Sequence, residues 1–216
     1  SIGFGDTWTA RNAGTSAAQS HPTRASTNIL TQMKRALFGT GTTATGSSGI
    51  QSTNLAAWRG NAAGLGGFFF FARLAMETSA SDIRFMVGLS TLNAAINGEP
   101  SSQMGSGIVI GADSTDTNIQ VISRDGTTAH KTDTGISKTA TGTVLDFYAF
   151  APPNGSDIKV RVVNVGTGAV AVDNVAKTSN LPAAATFMYV QAQIQSVTGA
   201  TAKTLALNRL YLESDT

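Results

Sequence analysis

The sequence predicts an all-β chain folded as an antiparallel β-sandwich or jelly roll, with an irregular N-terminal arm. Three features lead there. From residue 68 onward apolar and polar side chains alternate with a period of two. The alternating runs are short, about ten in number, and Gly, Pro, Asn or Asp interrupts them every eight to fifteen residues. No long helical period follows residue 57. Short strands with one apolar face bury it by packing two sheets together. No repeat of about 20–50 residues is present, which argues against a solenoid or propeller.

Residues 1–57 are rich in Ala, Thr, Ser, Asn and Gly and read as a loop-rich arm, packed on the sandwich or on a neighbouring subunit. Within them "NILTQMKRALF" sets Leu30, Met33 and Leu37 at helical spacing, yet reads equally well as a strand. "GTGTTATGSSG" reads as a flexible loop. The sandwich domain spans residues 58–216. In "FFFFARLAM", Phe68, Phe70, Ala72, Leu74 and Met76 share one face; Phe69, Phe71 and Ala75 share the other with Arg73, so both faces need cover. "IRFMVGL" follows across "SASD" (79–82) and is expected to pair with it as a hairpin. "GIVIG" is a further short strand.

"NIQVISR" and "TTAHKT" flank Asp125-Gly126, a strong hairpin signal. "VLDFYAF" stops at Pro152-Pro153-Asn154-Gly155, and Gly166-Thr167-Gly168 joins "DIKVRVVNV" to "AVAV". In "FMYVQAQIQ" Met188, Val190, Ala192 and Ile194 point inward, with Gln191, Gln193 and Gln195 outward. "TLALNRLYL" closes the series.

Composition removes several classes of function. Cysteine is absent, so disulfides, thiolate zinc sites and Cys nucleophiles are excluded. Net charge is only +2, and no basic run exceeds Lys34-Arg35, which gives nucleic-acid binding little support. No stretch reaches the roughly 18 apolar residues of a membrane-spanning helix; "GGFFFFARLAM" is broken by Arg73. The chain does not start with Met, and a processed product or fragment is expected. Charged residues make up only 13% of the chain. The polar surface is therefore built from Thr, Ser, Asn, Gln and Gly, which suits neutral partners such as sugars or other subunits.

The stretch "GADSTDTNIQVISRDGTTAHKTDTG" (111–135) is the densest in polar side chains. As a calcium loop starting at Asp113 it fails, because Asn118 and Arg124 stand where Gly and a carboxylate are required. Asp113, Asp116 and Asn118 could still meet a calcium ion from an irregular loop, but Asp, Ser and Asn more commonly cap turns between strands. No metal or other cofactor is assigned. His130 lies within five residues of Asp125 and Asp133, but alternates with Ala129 and Lys131 as an exposed strand residue would. The hydrolase elbow, the zinc-protease motif and the phosphate-binding loops are all missing. A glycosidase carboxylate pair follows no spacing rule and is not rejected by sequence. The expected site is a ligand-binding one: Trp58, which can stack on a sugar ring or anchor its loop, with Arg59, Arg124, His130, Gln191 and Gln193.

The order "WRGNAAGLGGFFFFARLAM", "RFMVGLST", "GIVIGADSTDTNIQVISRDGTTAHKTDTG", "VLDFYAFAPPNGSDIKVRVVNV", "LALNRLYLES" resembles the receptor-binding or tail-fibre modules of tailed bacteriophages over residues 58–216. The resemblance implies a concanavalin-like or jelly-roll sandwich and a homotrimer attached to other tail proteins. It places the chain in the virion, exposed to the extracellular medium, and implies binding to a bacterial surface polysaccharide or protein without cleavage. Two alternatives stand beside it: a polysaccharide-degrading tail enzyme or its accessory domain, and a structural baseplate or decoration protein.

Overall fold

The inward residues of the period-two runs meet between two antiparallel sheets in the computed structural model, which describes residues 8–14, 19–199 and 201–214. The seven-stranded sheet runs in the order β1 (Trp8–Ala10), β3 (Ser47–Ser52), β12 (Tyr189–Ser196), β5 (Ile83–Ser90), β6 (Ser106–Ala112), β7 (Asn118–Asp125), β8 (Ala129–Ser137). The six-stranded sheet runs β11 (Val170–Lys177), β10 (Ile158–Asn164), β9 (Val144–Ala151), β4 (Phe68–Thr78), β13 (Thr204–Ser214), β2 (Ala36–Gly39). Phe70, Phe85, Ile108, Phe147, Val160 and Ile194 lie in the shared core. The all-β sandwich expected from the alternation is the fold.

Several local expectations are corrected. Segments 68–76 and 83–89 do not pair as a hairpin: β4 pairs with β9 and β13, and β5 with β6 and β12. The polar turn between them carries the chain from one sheet to the other, a distance of about 10 Å between sheet planes. A short polar connection marks a reversal; it does not say which sheet receives the returning strand. The N-terminal quarter supplies strands to both sheets. β1 and β3 are hydrogen-bonded into one sheet and β2 into the other.

Both periods in residues 28–38 are realised in succession. Asn28 caps the short helix α1 (Ile29–Gln32), its side chain accepting from the Thr31 N–H at 3.0 Å, and β2 follows. Leu30, Met33 and Leu37 then cover Ala75, Val144 and Ala206 on the outer face of the six-stranded sheet. The end of "GTGTTATGSSG" is not loop but β3, an interior strand. Gly49 is needed there because a Cβ would lie 2.3 Å from the Ala192 carbonyl oxygen.

The hairpin forms between the expected strands, but its turn falls one residue later than Asp125-Gly126. Its turn is centred on Gly126-Thr127, with Asp125 N–H donating to the Thr128 carbonyl and Gly126 at φ +104°. In β13 the inward set is Leu205, Leu207, then Leu210 and Leu212. The phase slips by one residue, and a β-bulge at Asn208-Arg209 absorbs it. Residues 91–105, with the short helix α2 (Pro100–Gln103), lie over the outer face of the seven-stranded sheet, where Ile96 and Met104 pack on Met86, Val109 and Ile122.

Candidate functional site

The two outer faces of the sandwich differ. On the seven-stranded sheet Gln191, Gln193 and Gln195 leave the core side of β12, as alternation predicts, but all three are fully buried. Gln191 donates from Nε2 to Ser90 Oγ (2.8 Å) and the Leu92 carbonyl (2.7 Å). Gln193 donates to the Ala94 carbonyl (3.1 Å) and accepts from the Ile96 N–H (2.8 Å). Gln195 donates to the Thr45 carbonyl and accepts from Arg84 Nη1. The reading of these amides as a solvent-facing, ligand-contacting row is therefore corrected: their capacity is spent on the backbone lying across them.

The other sequence candidates are also tied into the scaffold. Arg59 donates to the Pro182 carbonyl at 2.8 Å and to the Gly155 carbonyl, while its own carbonyl accepts from the Asn154 N–H, so one side chain joins three loops. Burial lowers its pKa, partly offset by Asp157. Trp58 is half-buried and stacks on the exposed ring of Phe187 with centroids 4.8 Å apart and planes 13° apart. Arg124 donates to the carbonyls of Gly105, Gly126 and Thr127. His130 is exposed, and its Nδ1 lies 2.7 Å from Nζ of the buried Lys177. The structure does not bring these residues together at one site.

The aspartates of 111–135 serve the scaffold. Asp125 accepts from the N–H groups of Thr127 and Thr128, and Asp133 from that of Gly135. Lys131 bridges Asp113 (2.7 Å) and Asp116 (2.8 Å). Glu99 accepts from Ser114 and pairs with Arg84. The buried Lys138 donates to the carbonyls of Asp113 and Ser114. Its pKa is lowered by burial against the opposing pull of Asp116, Glu99, Asp113 and Asp82. Among the described residues no group of three or more His, Asp or Glu is placed to hold a metal ion.

The outer face of the six-stranded sheet holds what sequence reading did not select. Phe68 and Phe70 enter the core, while Phe69 and Phe71 point outward from β4. Register places Tyr211, Phe71, Tyr148 and Arg161 along one cross-strand row, and Glu213, Phe69, Phe150 and Lys159 along the next. Centroid distances are 5.0 Å for Phe71–Tyr148, 6.3 Å for Phe69–Tyr148 and 6.1 Å for Phe69–Tyr211, all tilted. Phe150 and Tyr211 are exposed and the other three rings half-exposed. The row behind them carries Arg73 and Asp146, paired through two contacts of 2.6 and 2.7 Å.

Tyr148 Oη lies 3.4 Å from Asp146, and its pKa is raised by burial first and by that carboxylate second. A concavity of about 510 Å³ lies over Phe69, Tyr148 and Phe150, with Lys159, Arg161 and Asn174 at its margin. A second of about 220 Å³ reaches Gly67, Pro153 and Glu213. The signal was in the sequence. The outward half of "FFFFARLAM", Tyr148 and Phe150 in "VLDFYAF", and Tyr211 in "NRLYL" are aromatics at positions where alternation calls for polar residues.

Fold and surface together define a two-sheet β-sandwich with one covered outer face and one half-open aromatic face. Solved structures share the fold. A protein of unknown function from Shewanella oneidensis MR-1 superposes with a TM-score of 0.60 at 12% identity, over 97% of this chain and 79% of that one. Arcelin-5, a lectin-like defence protein from Phaseolus vulgaris, gives 0.59 at 10% identity, over 99% and 94%. Alginate lyase A1-II′, a member of polysaccharide lyase family 7, gives 0.52 at 7%, over 84% and 80%. At these identities the likeness establishes the sandwich architecture. No family model matches the sequence, and no curated protein matches it.

Proposed function

We propose that the protein is a non-catalytic glycan-binding module, and that its finer role is attachment of a bacteriophage tail to a bacterial surface polysaccharide, the chain acting as a trimer within the virion. The observation that carries the reading is the aromatic face of Phe69, Phe71, Tyr148, Phe150 and Tyr211, bordered by Lys159, Arg161, Asn174 and Glu213. Aromatic faces accept the C–H surfaces of sugar rings, and a polar margin orients hydroxyls. Contiguous exposed apolar patches mark ligand-binding or partner surfaces. Lectin-like and polysaccharide-acting proteins among the structural neighbours agree with a saccharide occupant, and the phage-tail assignment rests on the sequence resemblance over 58–216.

The test is affinity electrophoresis through gels containing capsule or lipopolysaccharide from a panel of bacteria, with labelled protein on intact cells in parallel. Retardation by one polysaccharide, lost on capsule-deficient cells and weakened about 5–30-fold in Tyr148→Ala, is the expected result. Binding unchanged in Tyr148→Ala and Phe69→Ala would remove the aromatic face from the reading. Sedimentation that shifts from trimer to monomer in the same variants would instead make this face the subunit contact.

A second reading, polysaccharide cleavage, is favoured by one observation. Lys177 Nζ and His130 Nδ1 lie 2.7 Å apart at the margin of the sandwich, where burial brings the lysine pKa down to about 8 and the Lys177 charge, then burial, lowers that of the imidazole. Release of oligosaccharides by the wild type, abolished in His130→Ala, would establish that reading over the first.

A further inference from the structure

A cavity of about 600 Å³ lies at the edge of the six-stranded sheet, away from the aromatic rows. Its walls include His21 and Arg24 from the segment leading to α1, Lys34 and Arg35 from the turn into β2, and Leu207 and Asn208 from β13. The Ser20–Leu37 bridge holds the first of these segments along β2, and the β-bulge presents Asn208 and Arg209 together. A neighbouring concavity of about 390 Å³ shares Arg24, Lys34 and Asn208 and extends to Arg209. No carboxylate lines either one among the described residues.

Two polar atoms on residues that line this cavity are buried without a hydrogen-bond partner. Arg35 is 7% exposed. Its Nε and Nη2 grip Glu77 at 2.8 and 3.3 Å, but Nη1 has no hydrogen-bond partner. Asn208 donates from Nδ2 to the Lys34 carbonyl, and its Oδ1 accepts nothing. Buried polar groups are nearly always satisfied, so each such atom calls for an explanation. A guanidinium N–H beside Arg24 and Lys34 asks for an anionic oxygen. An amide oxygen asks for a donor, which an ionised carboxylate does not supply and a sugar hydroxyl does.

We propose that this cavity is a binding site for an acidic saccharide, whose oxyanion meets Arg35, Arg24 and Lys34 and whose hydroxyl donates to Asn208. The volume lies within the range of small-ligand pockets, about 300–1,000 Å³. The site is independent of the aromatic face, and neither stands or falls with the other.

The test is a ¹H–¹⁵N NMR titration of the whole chain with D-glucuronate, D-glucose 6-phosphate, D-glucose and inorganic phosphate at constant ionic strength. Saturable shifts confined to residues 21–24, 34–36 and 207–209 are expected with at least one acidic sugar, and which one distinguishes a carboxylate from a phosphate ligand. Glucose, which brings no anionic oxygen, and phosphate, which brings no sugar ring to fill the pocket, should each bind at least about tenfold more weakly. Arg35→Lys keeps a cation for Glu77 and removes the free N–H, and should weaken binding by about tenfold. Arg24→Gln, on an exposed side chain, should weaken it severalfold whether or not the first variant folds well. Shifts as large with glucose as with the acids, affinity unchanged in Arg24→Gln, or no saturable shift with any acidic sugar would each overturn the proposal.

Discussion

Lys177 offers a test of the electrostatics that join the two sheets. It ends β11, at the edge of the six-stranded sheet, and reaches β8, at the edge of the other. Its Nζ lies 2.6 Å from Thr132 Oγ1 and 2.7 Å from His130 Nδ1, and the residue is 3% exposed. No carboxylate pairs with it among the described residues, and burial lowers its pKa from 10.5 to about 8. Below the folded value the ammonium is charged and buried, so it opposes folding. Between about 8 and 10.5 the unfolded chain holds more protons than the folded one, so stability rises with pH across that window. Linkage puts the penalty at roughly 3 kcal/mol near pH 7 and about 1.4 kcal/mol near pH 9.5.

Lys177→Met removes the titration and keeps most of the stem. Losses of packing or of the two hydrogen bonds do not depend on pH here, so they cancel in the slope. The difference in unfolding free energy between wild type and variant, from urea titrations followed by tryptophan fluorescence, should therefore change by about 2 kcal/mol between about pH 7 and 9.5, the wild type gaining. His130, whose pKa is lowered by the Lys177 charge and then by burial, should titrate at higher pH in the variant, read from its ring-proton shifts. Parallel stability profiles for the two proteins would refute the reasoning, because a lysine that is solvated in the folded state has no such slope.

Three further outcomes follow from other positions. Burial pushes the Asp82 pKa up, but hydrogen bonds from Thr198 and Lys203 outweigh it and hold it at about 2; its stabilisation is present above the unfolded value and lost as pH falls from about 4 to about 2. Acid titration of stability should show wild type losing about 1–2 kcal/mol across that range, a slope that Asp82→Asn lacks. Gln193→Leu strips partners from the Ile96 N–H and the Ala94 carbonyl, and should cost about 2–3 kcal/mol in chemical denaturation with faster amide exchange at residues 95–97. Gly49→Ala forces a Cβ to within 2.3 Å of the Ala192 oxygen and should lower stability by about 1–3 kcal/mol, measured by thermal unfolding.

The fold was legible because alternation is a property of the strand itself. Met188, Val190, Ala192 and Ile194 could be assigned to the core without knowing what they touch. Pairing was less legible. "FFFFARLAM" and "IRFMVGL" are adjacent in sequence and belong to different sheets, and nothing local distinguishes a hairpin turn from a crossing. β3 was hidden because Ser47-Ser48-Gly49 has the composition of a loop; small residues there allow close approach to β12, which only the neighbour reveals. The β13 bulge, by contrast, stands in the sequence as the slip from Leu205 and Leu207 to Leu210 and Leu212.

Function-bearing residues were harder to pick because alternation names a face and says nothing about its cover. Polarity pointed to the glutamine row as the open surface and to the outward aromatics as needing a lid, and the structure reverses both. The reversal has a physical cause. Residues 91–97 have no helix or strand of their own, so their backbone groups need partners once buried. An amide side chain supplies both a donor and an acceptor, and Gln191 and Gln193 meet that need at Leu92, Ala94 and Ile96. A row of aromatics could not have anchored an irregular segment in that way. On the opposite sheet the α1 segment covers only the end where Leu30, Met33 and Leu37 find apolar partners. Beyond Arg73 and Asp146 the rings of Phe69, Tyr148, Phe150 and Tyr211 stay partly open, so any ligand of that face meets aromatic carbon first and charge only at its margin.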